Sequence, residues 1–352
     1  MATTLTVNGA YCKIECVSVL SVGQEHHDIE IDTGLAWTMN PPMMFSVNGE
    51  YLVSAHSDDV RVWRVEDGRE MARLEVKEVE CLAVSKDDNW IATGTFWGDV
   101  IVWDANTYKQ KYRWRMERDT PGYGLDFSPD VTQLVAASTD KTAIIWDVAT
   151  GNEVRTLVHD DWVRTVKYSP QGDRITTATS DHVRVWDSEN GRLMHEIPAS
   201  CRDPVSLVWG NNLVFVVSMD KVWKIQGTNV SEWSIPDTNK TSCTALQSRG
   251  EFVVSATSRT VRFWDILTHA QLSPIQHSRD VSSTALSPDD QFIAIAGYHG
   301  EITIKRLSHI SVSVVPSCIS TSLFCLSLCL RVAFLSMSLN TPHIVGTNHS
   351  YQ

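Results

Sequence analysis

His159, Asp181 and the hydroxyls of Thr177 and Thr179 lie in one short stretch of the chain. An imidazole, a carboxylate and a hydroxyl are the parts of a hydrolase triad. Against that chemistry, similar spacings return along the chain as a scaffold element, and recurrence does not supply the geometry that catalysis requires. Cys12-x-x-x-Cys16 followed by His26-His27 offers thiolate and imidazole ligands, but the spacing fits no zinc pattern. No P-loop, G-x-G-x-x-G, H-E-x-x-H or G-x-S-x-G motif occurs. The sequence therefore predicts no enzyme, no catalytic residue, no metal ligand and no cofactor.

The elements that hold these residues emerge from composition and period. The chain has 352 residues, 43% of them hydrophobic and 20% charged, which is globular composition. Its formal net charge of −12 repels phosphate, so no nucleic-acid partner is expected. Eight cysteines are too few and too scattered for a disulfide scaffold. Met1 to Thr6 has no basic start and no long apolar core. A cytoplasmic or nuclear chain without a signal peptide is the expectation.

Trp63, Trp103, Trp146, Trp186, Trp223 and Trp264 each end a short apolar run, with gaps of 40, 43, 40, 37 and 41. A further 41 residues lands on Lys305, after Ile302-Thr303-Ile304. The runs Val60-Arg61-Val62-Trp63, Val100-Ile101-Val102-Trp103 and Val183-Arg184-Val185-Trp186 are of one strand type. Tyr51-Leu52-Val53-Ser54 and Leu134-Val135-Ala136-Ala137 represent a second, upstream type. Turn formers such as Ser128-Pro129-Asp130 and Ser169-Pro170-Gln171-Gly172 precede them. Short β-branched runs separated by turns are antiparallel strands. A four-stranded sheet of this length cannot bury both faces alone, so its copies must stack, and radial stacking makes a β-propeller.

Trp103-Asp104, Trp146-Asp147, Trp186-Asp187 and Trp264-Asp265 resemble the Trp-Asp ending of WD40 repeats, and the resemblance covers roughly residues 41–307. It implies an all-β, seven-bladed propeller with four antiparallel strands per blade. A six-bladed body is the alternative, because Lys305-Arg306 replaces the marker pair. It also implies a hydrogen-bonded chain of His159, Asp181 and Trp186, with Thr177 or Thr179 as its hydroxyl. Only phases four and seven keep a His near the implied place, as His159 and His277. Blades one, five and seven should be the softest. Asp220 precedes Trp223 by only three residues, so the turn of blade five is expected to be shortened or shifted.

Residues 1–40 are read as an N-terminal segment holding a closing strand, either Thr4–Val17 or His27–Ile31. Residues 41–307 are the propeller. Residues 308–352 are an irregular tail rich in Ser, Leu and Cys whose one formal charge is Arg331. A strand such as Ser311–Val315, a membrane tether through 310–339, or a read-through product of a repeat gene each account for that composition.

A WD40 propeller usually serves as a platform whose turns carry the binding residues. The resemblance places partner contacts just before the turn Asp and at the start of the innermost strand. Those positions hold Trp97, Tyr123, Thr139, Trp162, Arg164, Ser180, Met219, Tyr298 and His299. Aromatic and Arg side chains favour such a role. The alternative is that Trp97 and Trp162 cover blade edges and Tyr298 fills the seam. The expected function is a non-enzymatic scaffold or adaptor that binds a peptide or protein on its top face.

Overall fold

The computed structural model describes residues 2–7, 10–22, 28–33, 42–116 and 122–199. It further describes 206–318 apart from 211–212, 219–220, 228, 236–240, 247–251, 267–268 and 273. At 2–22, 122–123, 241–246, 257 and 308–318 the description is of backbone alone. The chain divides into two compact units, residues 20–309 and residues 1–19 with 310–352. In the second unit Ala2–Val7 pairs antiparallel with Ala10–Val22, Ala2 standing opposite Glu15. Residues 319–352, most of the tail behind the tether and read-through readings, lie outside the described residues. Among the described residues no helix is long and apolar enough to cross a membrane.

Residues 20–309 form a ring of seven antiparallel blades, so the six-bladed alternative does not hold. Blade one runs Met43–Phe45, Tyr51–Ala55, Val60–Arg64 and Glu70–Leu74. Blade two runs Val79–Val84, Trp90–Thr95, Asp99–Asp104 and Gln110–Arg115. Blade four, the most regular in sequence, runs Thr165–Tyr168, Arg174–Ala178, His182–Asp187 and Leu193–Pro198. Blades three, five and six begin at Gly122, Ser206 and Thr241. Blade seven takes Val281–Leu286, Phe292–Gly297 and the start of Glu301–Cys318. Its fourth place is filled from the other end of the sequence: Ile29–Asp32 pairs antiparallel with Glu301–Ile304.

The alternation that made these runs legible as strands also makes the core. Each sheet presents one row of side chains to the preceding blade and one to the next, and these rows are apolar. Cys81, Ala83, Val100 and Val102 of blade two pack with Leu125, Leu134, Ala136 and Trp146 of blade three. The innermost strands approach so closely that a Cβ on Gly124 would stand 3.0 Å from the Thr165 backbone. The last turn of blade one shows a similar fit to the closing strand. Gly68 has φ +70°, and a Cβ there would meet Ile29 Cγ2 at 2.7 Å.

Blade five corrects the expectation of a shortened turn. Its Ser218 N–H donates to Lys221 O, as Thr179 N–H donates to His182 O in blade four. The same bond brackets the turn, whose residues 219–220 lie outside the described residues, and the indole has moved. Trp186 stands opposite Ile175 in blade four, whereas the corresponding pair in blade five is Ile225 with Val214. Trp223 lies two residues earlier, opposite Val216. A step of two keeps a strand residue on the same face, so Trp223 and Ile225 share one core with Val214 and Val216.

Candidate functional site

The strand-end tryptophans are structural. In blade four the Trp186 indole N–H donates to Thr177 Oγ1 at 2.9 Å, and His159 Nε2 meets the same oxygen at 2.8 Å. The rings of His159 and Trp186 pack edge-on at 5.1 Å. Thr177, not Thr179, is the shared hydroxyl; Thr179 bonds to His182 within its own turn. Asp181 does not join this chain. Its side chain is exposed, and His159 Nδ1 has no hydrogen-bond partner among the described residues. The buried cation beside this group is Arg184, which bonds Asp160 at 2.7 Å and Glu196 at 2.6 Å.

The same staple holds other blades with different parts. Trp103 donates to Thr93 Oγ1 at 3.2 Å and Trp264 to Ser255 Oγ at 2.9 Å. Blade one, expected to be soft, is fully stapled: Trp63 donates to Ser54 Oγ at 2.8 Å, and His56 Nε2 lies 3.0 Å from that oxygen. His56 follows the second strand, whereas His159 precedes the first, so a search at the usual place misses it. In blade seven His277 Nε2 reaches Thr303 Oγ1 at 3.1 Å, with Lys305 in the indole's place. Lys305 is ion-paired with Asp28 beside the closing strand.

Two adjacent threonines give an opposed pair of expected results. Replacing Thr177 by Val removes the acceptor of one buried N–H and the partner of a buried imidazole, and should cost about 2 kcal/mol. Thr176 is equally buried, but its hydroxyl has no partner among the described residues. Thr176→Val, a near-isosteric change, should be neutral or stabilising by up to about 1 kcal/mol. Urea unfolding of both variants checks the pair; equal losses would refute the assignment.

The end of the ring where first strands begin and second strands turn into third strands is the top face. Trp97 and Trp162 lie there and are 44% and 47% exposed, while the six strand-end tryptophans are buried. Phe96, which sequence mapping passed over, is 40% exposed and packs edge-on against Trp97 with ring centroids 5.2 Å apart. The Arg164 guanidinium stands over the Trp162 ring at 5.0 Å, within cation–π range. Tyr298 and His299 are exposed on the corresponding turn of blade seven, and Thr139 and Ser180 are half-buried. The side chain of Tyr123 and all of Met219 lie outside the described residues. Of these positions, the described contacts bring together only Trp162 and Arg164.

A model of the WD domain, G-beta repeat, matches residues 72–104, and one of the anaphase-promoting complex subunit 4 WD40 domain matches residues 125–212. The chain is a WD40-repeat protein. This WD40 protein superposes on the Cps50 (Swd1) β-propeller domain of Myceliophteria thermophila with a TM-score of 0.69. The match has 17% identity and covers 80% of this chain and 100% of the other, and it shows likeness of fold. The U3 small nucleolar RNA-associated protein 15 homolog of Xenopus laevis is 25% identical over 190 residues, 52% of this chain and 37% of that protein. A subunit of chromatin assembly factor 1 from Gallus gallus is 28% identical over 156 residues, 44% of this chain and 24% of that protein. The WD40 chain thus aligns with well under half the length of these relatives.

A missed region of the WD40 top face lies between blades one and two. Ser57, Asp58, Glu78, Val79, Glu80 and Phe96 line a cleft of about 370 Å³. Register slips between Val79 and Cys81, making Glu80 the extra residue of a bulge, a device that redirects a side chain. Glu78 adopts φ 52°. Its N–H donates to Ser57 O at 3.2 Å, and its carbonyl accepts from the Phe96 N–H at 2.8 Å. Desolvation, and then the charge of Glu78, raise the Glu80 carboxyl above the ordinary range. The signal available in sequence was Glu78-x-Glu80 at the start of an innermost strand.

Proposed function

We propose that this WD40 protein is a non-enzymatic interaction platform whose top face binds a peptide or protein partner, in the cytoplasm or nucleus and without nucleic acid. The observation that carries the reading is the division of the tryptophans. Six indoles are buried at strand ends, and two, Trp97 and Trp162, stand in water on top-face turns. Large exposed aromatic groups beside an arginine are the residue types that dominate binding energy at protein interfaces. That the relatives include a component of a chromatin assembly factor and a nucleolar RNA-associated protein supports a role inside assemblies.

Trp97→Ala, Trp162→Ala and Arg164→Ala variants test this. Each should keep the parent melting temperature to within a few degrees, because the side chains are exposed or half-buried. Each should also lose partners that the parent retains from lysate, with an expected cost of about 2 kcal/mol per aromatic anchor. Unchanged partners from correctly folded variants would reject the top face.

A further inference from the structure

The exposed aromatic pair Phe96–Trp97 has a specific occupant written into its surroundings. The two rings pack on each other, leaving about two-fifths of each in water. Exposed aromatic side chains are of the residue types that anchor interfaces. Phe96 also forms a wall of the cleft between blades one and two, whose other walls carry Asp58, Glu78 and Glu80. Asp58 meets the exposed Lys77 at 3.3 Å. Among the described residues neither Glu78 nor Glu80 has an ion pair.

Carboxylates and an aromatic face both attract a cation, and both disfavour an anion. An uncharged apolar occupant would cover the rings but leave the carboxylates desolvated and unpaired. A cation on an apolar stem satisfies both, since lysine and arginine lay their methylenes on apolar surface and keep the charged head at a polar rim. We infer that the cleft between blades one and two receives the lysine or arginine side chain of a basic partner segment, with Phe96 and Trp97 covering its stem and Glu78 and Glu80 pairing its charge. This rests on the top-face reading and names the chemistry of the partner. The net charge of −12 would steer a basic segment toward the protein but not to this place. The cleft supplies the place.

The test uses the full chain and a fluorescein-labelled peptide of alternating lysine and alanine, with glutamate and glutamine counterparts, read by fluorescence anisotropy at about 50 mM salt. The lysine peptide should bind and the other two should not. The Glu78→Gln/Glu80→Gln double variant, and separately Phe96→Ala, should weaken binding about tenfold with unchanged melting temperature. The control is Glu66→Gln/Glu189→Gln, an equal change of charge at exposed residues on the opposite turns, and it should bind as the parent does. Absence of lysine-peptide binding, undiminished binding by the Glu78/Glu80 variant, or equal weakening by the control overturns the inference. If lysate partners still depend on Trp97 and Trp162 in that event, the platform stands and only its cationic pocket falls. If they do not, the platform itself fails.

Discussion

Acidification from pH 7 toward pH 5 should destabilise the protein through two buried histidines. His56 and His159 both have pKa values lowered from 6.5 to about 4. Burial is the larger cause for each, followed by the positive charge of Arg61 for His56 and of Arg184 for His159. The geometry agrees. Nε2 of each ring is engaged with a hydroxyl that also accepts an indole N–H. The sign follows from the depressed folded values. Above pH 6.5 the rings are neutral in both states, and their stabilising contribution is complete. Between 6.5 and 4 the unfolded chain binds protons that the folded chain refuses, so stability falls with pH and the loss is complete near pH 4. Each ring accounts for at most about 3 kcal/mol over the whole window. Urea midpoints measured at pH 7, 6 and 5 should fall steadily in the parent. A His56→Asn/His159→Asn double variant should start lower and stay nearly flat. Parallel slopes in the two proteins would remove these histidines as the cause.

The fold was legible because the closing indole of each third strand is both large and buried, so its spacing counts blades directly. The same property hid what happens in blade five. A displacement of Trp223 by two residues keeps it in the core, so the short gap reflects the place of the indole on its strand. The hydrogen-bonded chain was legible as far as its acceptor. Thr177, Thr93, Ser54 and Ser255 all stand two residues beyond the partner of the tryptophan in the second strand. Asp181 failed because a turn residue can face water without disturbing the strands that it joins, and identity at a turn says little about orientation. His56 was missed because an imidazole can reach the same hydroxyl from either side along the blade. On the top face, counting along the strands found Trp97 but not its neighbours Phe96, Glu78 and Glu80. A bulge inserts a residue that alternation does not register, and a cleft between blades joins residues of two phases that sequence treats separately.

Ile31→Asp should be the most damaging single change at the seam. Ile31 is 4% exposed and packs with Trp63 and Val65 of blade one and with Ile302 and Ile304 of blade seven. The strand that carries it is four residues long, in the register Ile29–Ile304, Glu30–Thr303, Ile31–Ile302 and Asp32–Glu301. Its described ties include the Thr33 N–H bond to Gly300 O at 3.0 Å. Thr33 Oγ1 donates to Gly300 O at 2.6 Å, Arg61 Nη1 donates to Thr33 O at 2.9 Å, and Lys305 pairs with Asp28. So short a segment holds by its inward side chains more than by its ladder. Truncation to Ala should cost about 3 kcal/mol, and Val about 1 kcal/mol. A carboxylate there adds the burial of an unpaired charge, for a loss of about 4 kcal/mol or more unless the strand leaves the sheet. If it leaves, blade seven loses its outer edge and the ring opens between blades seven and one. Glu30 on the same strand is exposed, and Glu30→Ala should change stability by less than about 0.5 kcal/mol. Urea unfolding should therefore rank the variants Glu30→Ala, Ile31→Val, Ile31→Ala and Ile31→Asp in order of increasing loss. An Ile31→Asp protein that unfolds at the parent's midpoint would mean that this strand does not close the ring.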